Sequence, residues 1–249
     1  MALKNVVGIV CALASEARHL GPTVRLHDPL GSLADGTLVA VTGMGGEAAC
    51  AGARALIEAG ATALASWGMA GGLDPALSAG AILLPTEVIG SDGQQINTAA
   101  GWRERLSGAV AAHAPVRTGR LLTTSRAVGS VADKAALFRS TGAAAVDMES
   151  LGVGAVARDN QLPFIAVRVI VDSAADVLPR AVTEAADHAG HLQIWRLIGA
   201  LALTPNELAP LIRLARRYRA ANRSLAAIAR VGSLAPCAFT GSTPDSRLS

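Results

Sequence analysis

The sequence predicts an α/β protein, with a mostly parallel sheet sandwiched by helices across most of a 249-residue chain. Three observations predict it. Short apolar runs rich in Val and Ile alternate with Ala-rich helical stretches from Val6 to Asp172. The chain is 51% hydrophobic but only 3% aromatic, which suits a sheet covered by small-residue helices and excludes disorder across the main body. Two of the runs, Ala143 to Ser150 and Phe164 to Asp172, end in carboxylates. That is the pattern of buried strands delivering polar groups to the C-terminal sheet edge, where open α/β sheets keep their sites.

The elements follow in order. Val6 to Ala14 is apolar behind Lys4 and could pass for a short signal peptide, but it runs directly into the helix opening Ser15-Glu-Ala-Arg18 and reads as a first buried strand. Gly31 to Gly36 turns the chain, and Leu38 to Thr42 is the next strand. Glu47 to Ala59 is a helix stopped by Gly60. Thr62 to Ser66 reads as a short strand feeding a glycine-rich loop from Trp67 to Pro75, and Gly80 to Val88 as a strand with Pro85 near its end. Ser91 to Gly101 is expected to be polar loop, Trp102 to His113 a helix and Arg120 to Thr123 a strand. Ser130 with Asp133 forms a capping box for the helix that follows, and a helix from Leu151 to Asn160 separates the two carboxylate-bearing strands.

Beyond Ala175 the composition changes. His188 to Leu203 and Glu207 to Arg230 read as helices with Pro205 near the start of the second, and Gly232 to Ser249 as a loose tail. The chain thus divides into an α/β domain over 1–186, a basic amphipathic helical extension over 187–231 and a tail over 232–249 expected to be disordered.

Composition also excludes function classes. A net charge of +3 is too small to imply nucleic acid. Cys11, Cys50 and Cys237 are odd in number and lack metal-ligand spacing, which argues against a zinc site or disulfide framework and fits a reducing cytoplasm. No run approaches the roughly eighteen apolar residues of a membrane span.

Glu149 and Asp172 are expected side by side above the sheet, with Arg168 holding Asp172. Two buried carboxylates converging from adjacent strands mark a site more often than a stabilising pair. Asp172 could protonate N7 of a purine and so improve the base as a leaving group, while Glu149 could bind a ribose diol and favour the positive charge growing on the sugar. Glu16 lies just past the first strand, where it could orient a nucleophile, and Arg18 could bind an anionic one such as phosphate. Gly43-Met-Gly-Gly-Glu-Ala48 fits the dinucleotide pattern G-x-G-x-x-A, yet the strand that should end in an acid ends at Ser66-Trp67. It reads either as a tight turn or as a helix start whose N–H groups, that of Gly45 among them, hold an anion or ribose oxygens.

Five blocks in order, Gly8 to Ala17, Gly68 to Leu73, Gly80 to Pro85, Val146 to Glu149 and Val167 to Asp172, resemble the signature of the purine nucleoside phosphorylase and methylthioadenosine/S-adenosylhomocysteine nucleosidase superfamily. The resemblance implies a three-layer α/β/α phosphorylase fold, N-glycosidic bond cleavage and a homodimer. It makes Glu16 the nucleophile-activating residue, Met148 and Glu149 the ribose-contacting pair and Asp172 the catalytic acid, with Met69, Gly71 and Arg168 at the substrate. No cofactor or metal is implied, only phosphate as co-substrate. Met69 stands where nucleosidases usually carry Ser, and nothing aromatic is offered near Val128.

Within the superfamily, Cys11 to Arg18, Gly71 to Pro75 with Leu84-Pro85, and Asp172 to Pro179 are most similar to the hopanoid-associated phosphorylases. That implies removal of adenine from adenosylhopane, an adenosine-bearing lipid. The rival readings are a methylthioadenosine/S-adenosylhomocysteine nucleosidase, a non-catalytic nucleoside- or lipid-binding protein and, last, a dinucleotide enzyme. In the last helix Leu208, Leu211, Ile212, Ala215, Leu225 and Ile228 can share one face, with Arg213, Arg216, Arg217, Arg223 and Arg230 largely on another. Such a helix could rest on anionic headgroups at the inner face of the membrane, or pack on the core or a dimer interface with its charges solvated.

Overall fold

The computed structural model describes residues 5–27, 29–112, 114–178 and 208–231. The helix expected over 188–203, the boundary at 186 and the tail 232–249 lie outside the described residues.

The expected alternation produces a mixed sheet flanked by helices, and the parallel pairs lie at its centre. Strand β1 (Val7–Cys11) is buried along its whole length and pairs in parallel with β4 (Leu38–Val41) on one side and β5 (Ala63–Gly72) on the other. A hairpin of β2 (Val24–His27) and β3 (Leu30–Ser32), in a stretch to which the sequence assigned no strand, extends the β4 edge antiparallel, and the turn expected over Gly31 to Gly36 follows it, the Gly36 N–H donating to Leu33 O at 3.0 Å. The polar stretch after β7 (Glu87–Gly90) folds back as β8 (Gln95–Asn97), of which only Ile96 is buried. Pro85 separates β6 (Ile82–Leu83) from β7, so the single strand expected there is two.

Strand β5 is the branch point. It continues through Gly72, where a loop was expected from Trp67. Its Leu64–Gly71 stretch pairs in parallel with β12 (Phe164–Asp172), and its end pairs antiparallel with β11 (Ala143–Asp147), Gly71 facing Val146. Of the glycines that weakened its strand signal, Gly68 is needed because a carboxylate lies against it. A Cβ there would stand 2.7 Å from Glu16 Oε1, whereas one at Gly71 would meet Asp172 Oδ1 at an ordinary contact distance of 3.5 Å. β11 continues through β10 (Arg120–Thr123) to β7, while β9 (Val116–Arg117) pairs with β6.

Helices cover both faces. On one, α2 (Gly46–Glu58) and α5 (Ser150–Asp159) bury Ala53, Leu56, Val153 and Ala157 against Leu64 and Ile170. On the other, α3 (Ala100–Val110) and α6 (Leu208–Arg230) bury Trp102, Leu106, Leu225 and Ile228 against Ile9, Trp67 and Val167. Helix α4 (Val131–Thr141) opens as expected, the Asp133 N–H donating to Ser130 Oγ at 3.0 Å. Among the described residues Cys11 and Cys50 are free thiols, and no helix is long and apolar enough to cross a membrane.

Candidate active site

Three carboxylates from distant segments meet at the C-terminal end of β5. Glu16 sits on the short helix α1 (Ala14–Ala17) directly after β1. Both its oxygens are held by backbone, Oε1 accepting from the Met69 N–H at 2.9 Å and Oε2 from the Leu13 N–H at 3.1 Å. Burial pushes its pKa above the ordinary carboxylate value, and these two hydrogen bonds oppose that rise. It therefore has the character of a base that takes up a proton readily.

Glu149 lies two residues past the end of β11 and is the N-cap residue of α5. Its Oε1 accepts from the Gly45 N–H at 2.9 Å and its Oε2 from the Met148 N–H at 3.3 Å. Burial and the neighbouring Asp147 raise its pKa to about 7, against the pull of Arg168 4.0 Å away and the Gly45 bond. Near neutrality it is divided between its two forms, and only the ionised form accepts from a diol on both oxygens.

Asp172 ends β12 at a register shift after Ile170, a bulge that re-aims the side chain. Its partner is Lys134 of α4, whose ammonium donates to Asp172 Oδ2, to Ser173 O at 2.9 Å and to Asp176 O at 3.0 Å. Three acceptors use all three ammonium hydrogens. Burial raises the Asp172 pKa above the ordinary carboxylate value, while the Lys134 ammonium opposes that rise.

Glu149 and Asp172 do not lie on adjacent strands, as the sequence suggested. β11 and β12 flank β5, and the two carboxylates reach one cavity from opposite sides of it. Nor does Arg168 hold Asp172. Its guanidinium grips Asp147 through Nε at 2.8 Å and Nη2 at 2.7 Å and donates to Ser66 Oγ at 2.7 Å. Arg168 is placed there because it precedes Asp172 by four residues along a strand, so its side chain leaves β12 well before the bulge.

Glu16, Met69, Gly71, Met148, Glu149 and Asp172 line one cavity of about 210 Å³. Its other walls are mostly apolar, with Leu13, Met44, Val171 and Leu178 prominent. The other three expected residues lie elsewhere. Arg168 is buried behind the wall, the Gly45 N–H is taken by Glu149, and Arg18 donates to Asn222 Oδ1 at 3.0 Å in a neighbouring cleft.

Sequence reasoning missed Lys134, which reads as an ordinary surface lysine in a capped helix yet is fully buried. It also missed Asp147, which organises the wall. Asp147 accepts from Thr123 Oγ1 at 2.6 Å and from the Ser150 N–H at 3.2 Å besides its Arg168 contacts. The aromatic residue of the lining is Tyr218 from α6, while Val128 and Arg126 come from the loop before α4.

The sequence profile described as the phosphorylase superfamily matches residues 7–198. Among curated protein sequences none matches the chain. Solved structures do. The 5′-methylthioadenosine/S-adenosylhomocysteine nucleosidase from Neisseria meningitidis, in complex with methylthio-immucillin-A, is similar at 20% identity and a TM-score of 0.68, covering 92% of this chain and 99% of that one. Futalosine hydrolase of Helicobacter pylori is similar at 17% identity and a TM-score of 0.65, covering 91% and 97%. Likenesses at this identity establish the fold.

Proposed function

The chain belongs to the phosphorylase superfamily, and we propose that it cleaves the N-glycosidic bond of an adenosine bearing a large apolar group at its 5′ carbon. The substrate implied by the sequence resemblance is adenosylhopane. The products are then adenine and a phosphoribosyl- or ribosyl-hopane, within hopanoid biosynthesis. The observation that carries this reading is the convergence of Glu16, Glu149 and Asp172, all buried and all with raised pKa, on one largely apolar cavity.

In this reading Asp172 delivers a proton to N7 of adenine as the bond to the sugar breaks. Glu149 accepts from the ribose hydroxyls and stabilises the positive charge developing on the ring. Glu16 orients or deprotonates the attacking group. The cavity, at about 210 Å³, is smaller than the roughly 300–1,000 Å³ that encloses a whole small ligand. It suits an adenosine head whose 5′ substituent leaves through the apolar mouth.

Phosphate is the attacking group implied by the resemblance. A second reading, with water attacking, is favoured by a specific observation, because Arg18 and Gly45 are engaged by Asn222 and Glu149. Purified protein incubated with adenosylhopane in detergent, with and without phosphate, tests both. Phosphate-dependent release of adenine with a ribosyl 1-phosphate product supports phosphorolysis, and equal release without phosphate supports hydrolysis. No release, beside rapid cleavage of methylthioadenosine, would replace the lipid substrate with a small thioether nucleoside.

A further inference from the structure

A second cleft lies beside the cavity, with Tyr218 in the wall of both. Its other lining residues are Arg18, Arg216, Arg219, Asn222 and Arg223. Four arginines and no acid line it. All four are exposed, and among the described residues none of them has an acidic partner. Arg217, by contrast, is half-buried and paired with Asp176 at 2.6 Å, so it belongs to the interior network.

The helix fixes how these charges are presented. At about 100° per residue, Arg216, Arg219, Arg223 and the exposed Arg230 fall within an arc of about 60° on α6. Ala221, Leu225 and Ile228 point the other way, fully buried on the sheet. The apolar face is therefore occupied, and the helix cannot enter a bilayer by that face. Side chains before Ala215, including Leu208, Leu211, Ile212 and Arg213, lie outside the described ones.

We propose that this arginine face docks the protein on an anionic phospholipid surface, with the mouth of the apolar cavity beside it. Arg216 to Arg223 spans about 10 Å along the axis, too far for one phosphate group and suited to several headgroups. The guanidinium groups match phosphodiester oxygens in geometry as well as charge. Attraction without insertion makes the contact reversible and sensitive to salt. The docking requires nothing of the reaction assigned to the cavity, so either conclusion can fail alone.

The test is co-sedimentation of the full chain with vesicles of phosphatidylcholine, with and without phosphatidylglycerol, at low and high salt. Binding is expected only with phosphatidylglycerol, and it should weaken at high salt. Combined Arg216→Gln, Arg219→Gln and Arg223→Gln should lower partitioning about a hundredfold, at roughly fivefold per arginine, with the melting temperature unchanged. The three Lys replacements should retain most of the binding. Failure of the parent to sediment with anionic vesicles at low salt would overturn the proposal, as would undiminished binding by the Gln variant. So would saturable binding of inorganic phosphate, or tighter binding of a single-stranded oligonucleotide, lost in the same variant.

Discussion

At the scale of single residues, the acid at the end of β12 decides between an enzyme and a binding protein. Asp172→Asn keeps the shape and removes the proton that would go to the purine. Turnover should fall about 10²–10⁴-fold while adenine affinity, measured by calorimetry, changes little; a protein with no turnover to lose would be a binding module. Lys134 acts on that acid from behind. Since its charge holds the Asp172 pKa down against burial, Lys134→Met should let Asp172 keep its proton to higher pH. The alkaline limb of the pH–rate profile should then move upward. Loss of the buried partner should also cost about 3 kcal/mol of stability, but a purely structural lysine would leave the pH profile where it is.

At the scale of elements, the covering helices approach the sheet and each other through small residues. A Cβ at Gly152 of α5 would stand 2.7 Å from Gly46 O and 3.0 Å from Cys50 Sγ of α2. Gly152→Ala should therefore cost about 1–3 kcal/mol, lowering the melting temperature by roughly 2–4 °C per kcal/mol in a chain of this size. Most elements were legible because their signals are local: the apolar run of β1, the capping box of α4, the glycine closing α2. β5 was not, because its Gly68–Gly72 stretch carries no β-branched residue and is a strand only by virtue of its partners. The same distinction runs through the site. Glu16, Glu149 and Asp172 could be read from their places at strand ends, whereas the partners of Asp172 and Arg168 depend on which strands flank β5. No local pattern encodes that choice.

At the scale of the whole molecule, the buried carboxylates link stability to pH. Glu149 has a folded pKa of about 7 and an unfolded value of about 4.3, so folding takes up a proton between those limits. Its contribution is fully present below about pH 4.3 and is lost as pH rises through about 7, a change of roughly 4 kcal/mol. Glu149→Gln should remove that component, and its gain in unfolding free energy over the parent, measured by denaturant titration, should grow from pH 4.5 to 8. Equal pH dependence in the two proteins would mean that the carboxyl is not desolvated. The branching of β5 also has a bearing on when the protein becomes competent. A nascent chain that has emerged only as far as Asn160 already possesses Glu16, its Met69 anchor and Glu149, but it lacks the strand that brings Asp172. Pairings so distant in sequence form slowly, so in refolding experiments helical signal should return before adenine release. In the proposed reaction, which requires Asp172, each newly made molecule gains activity only once β12 has docked on β5.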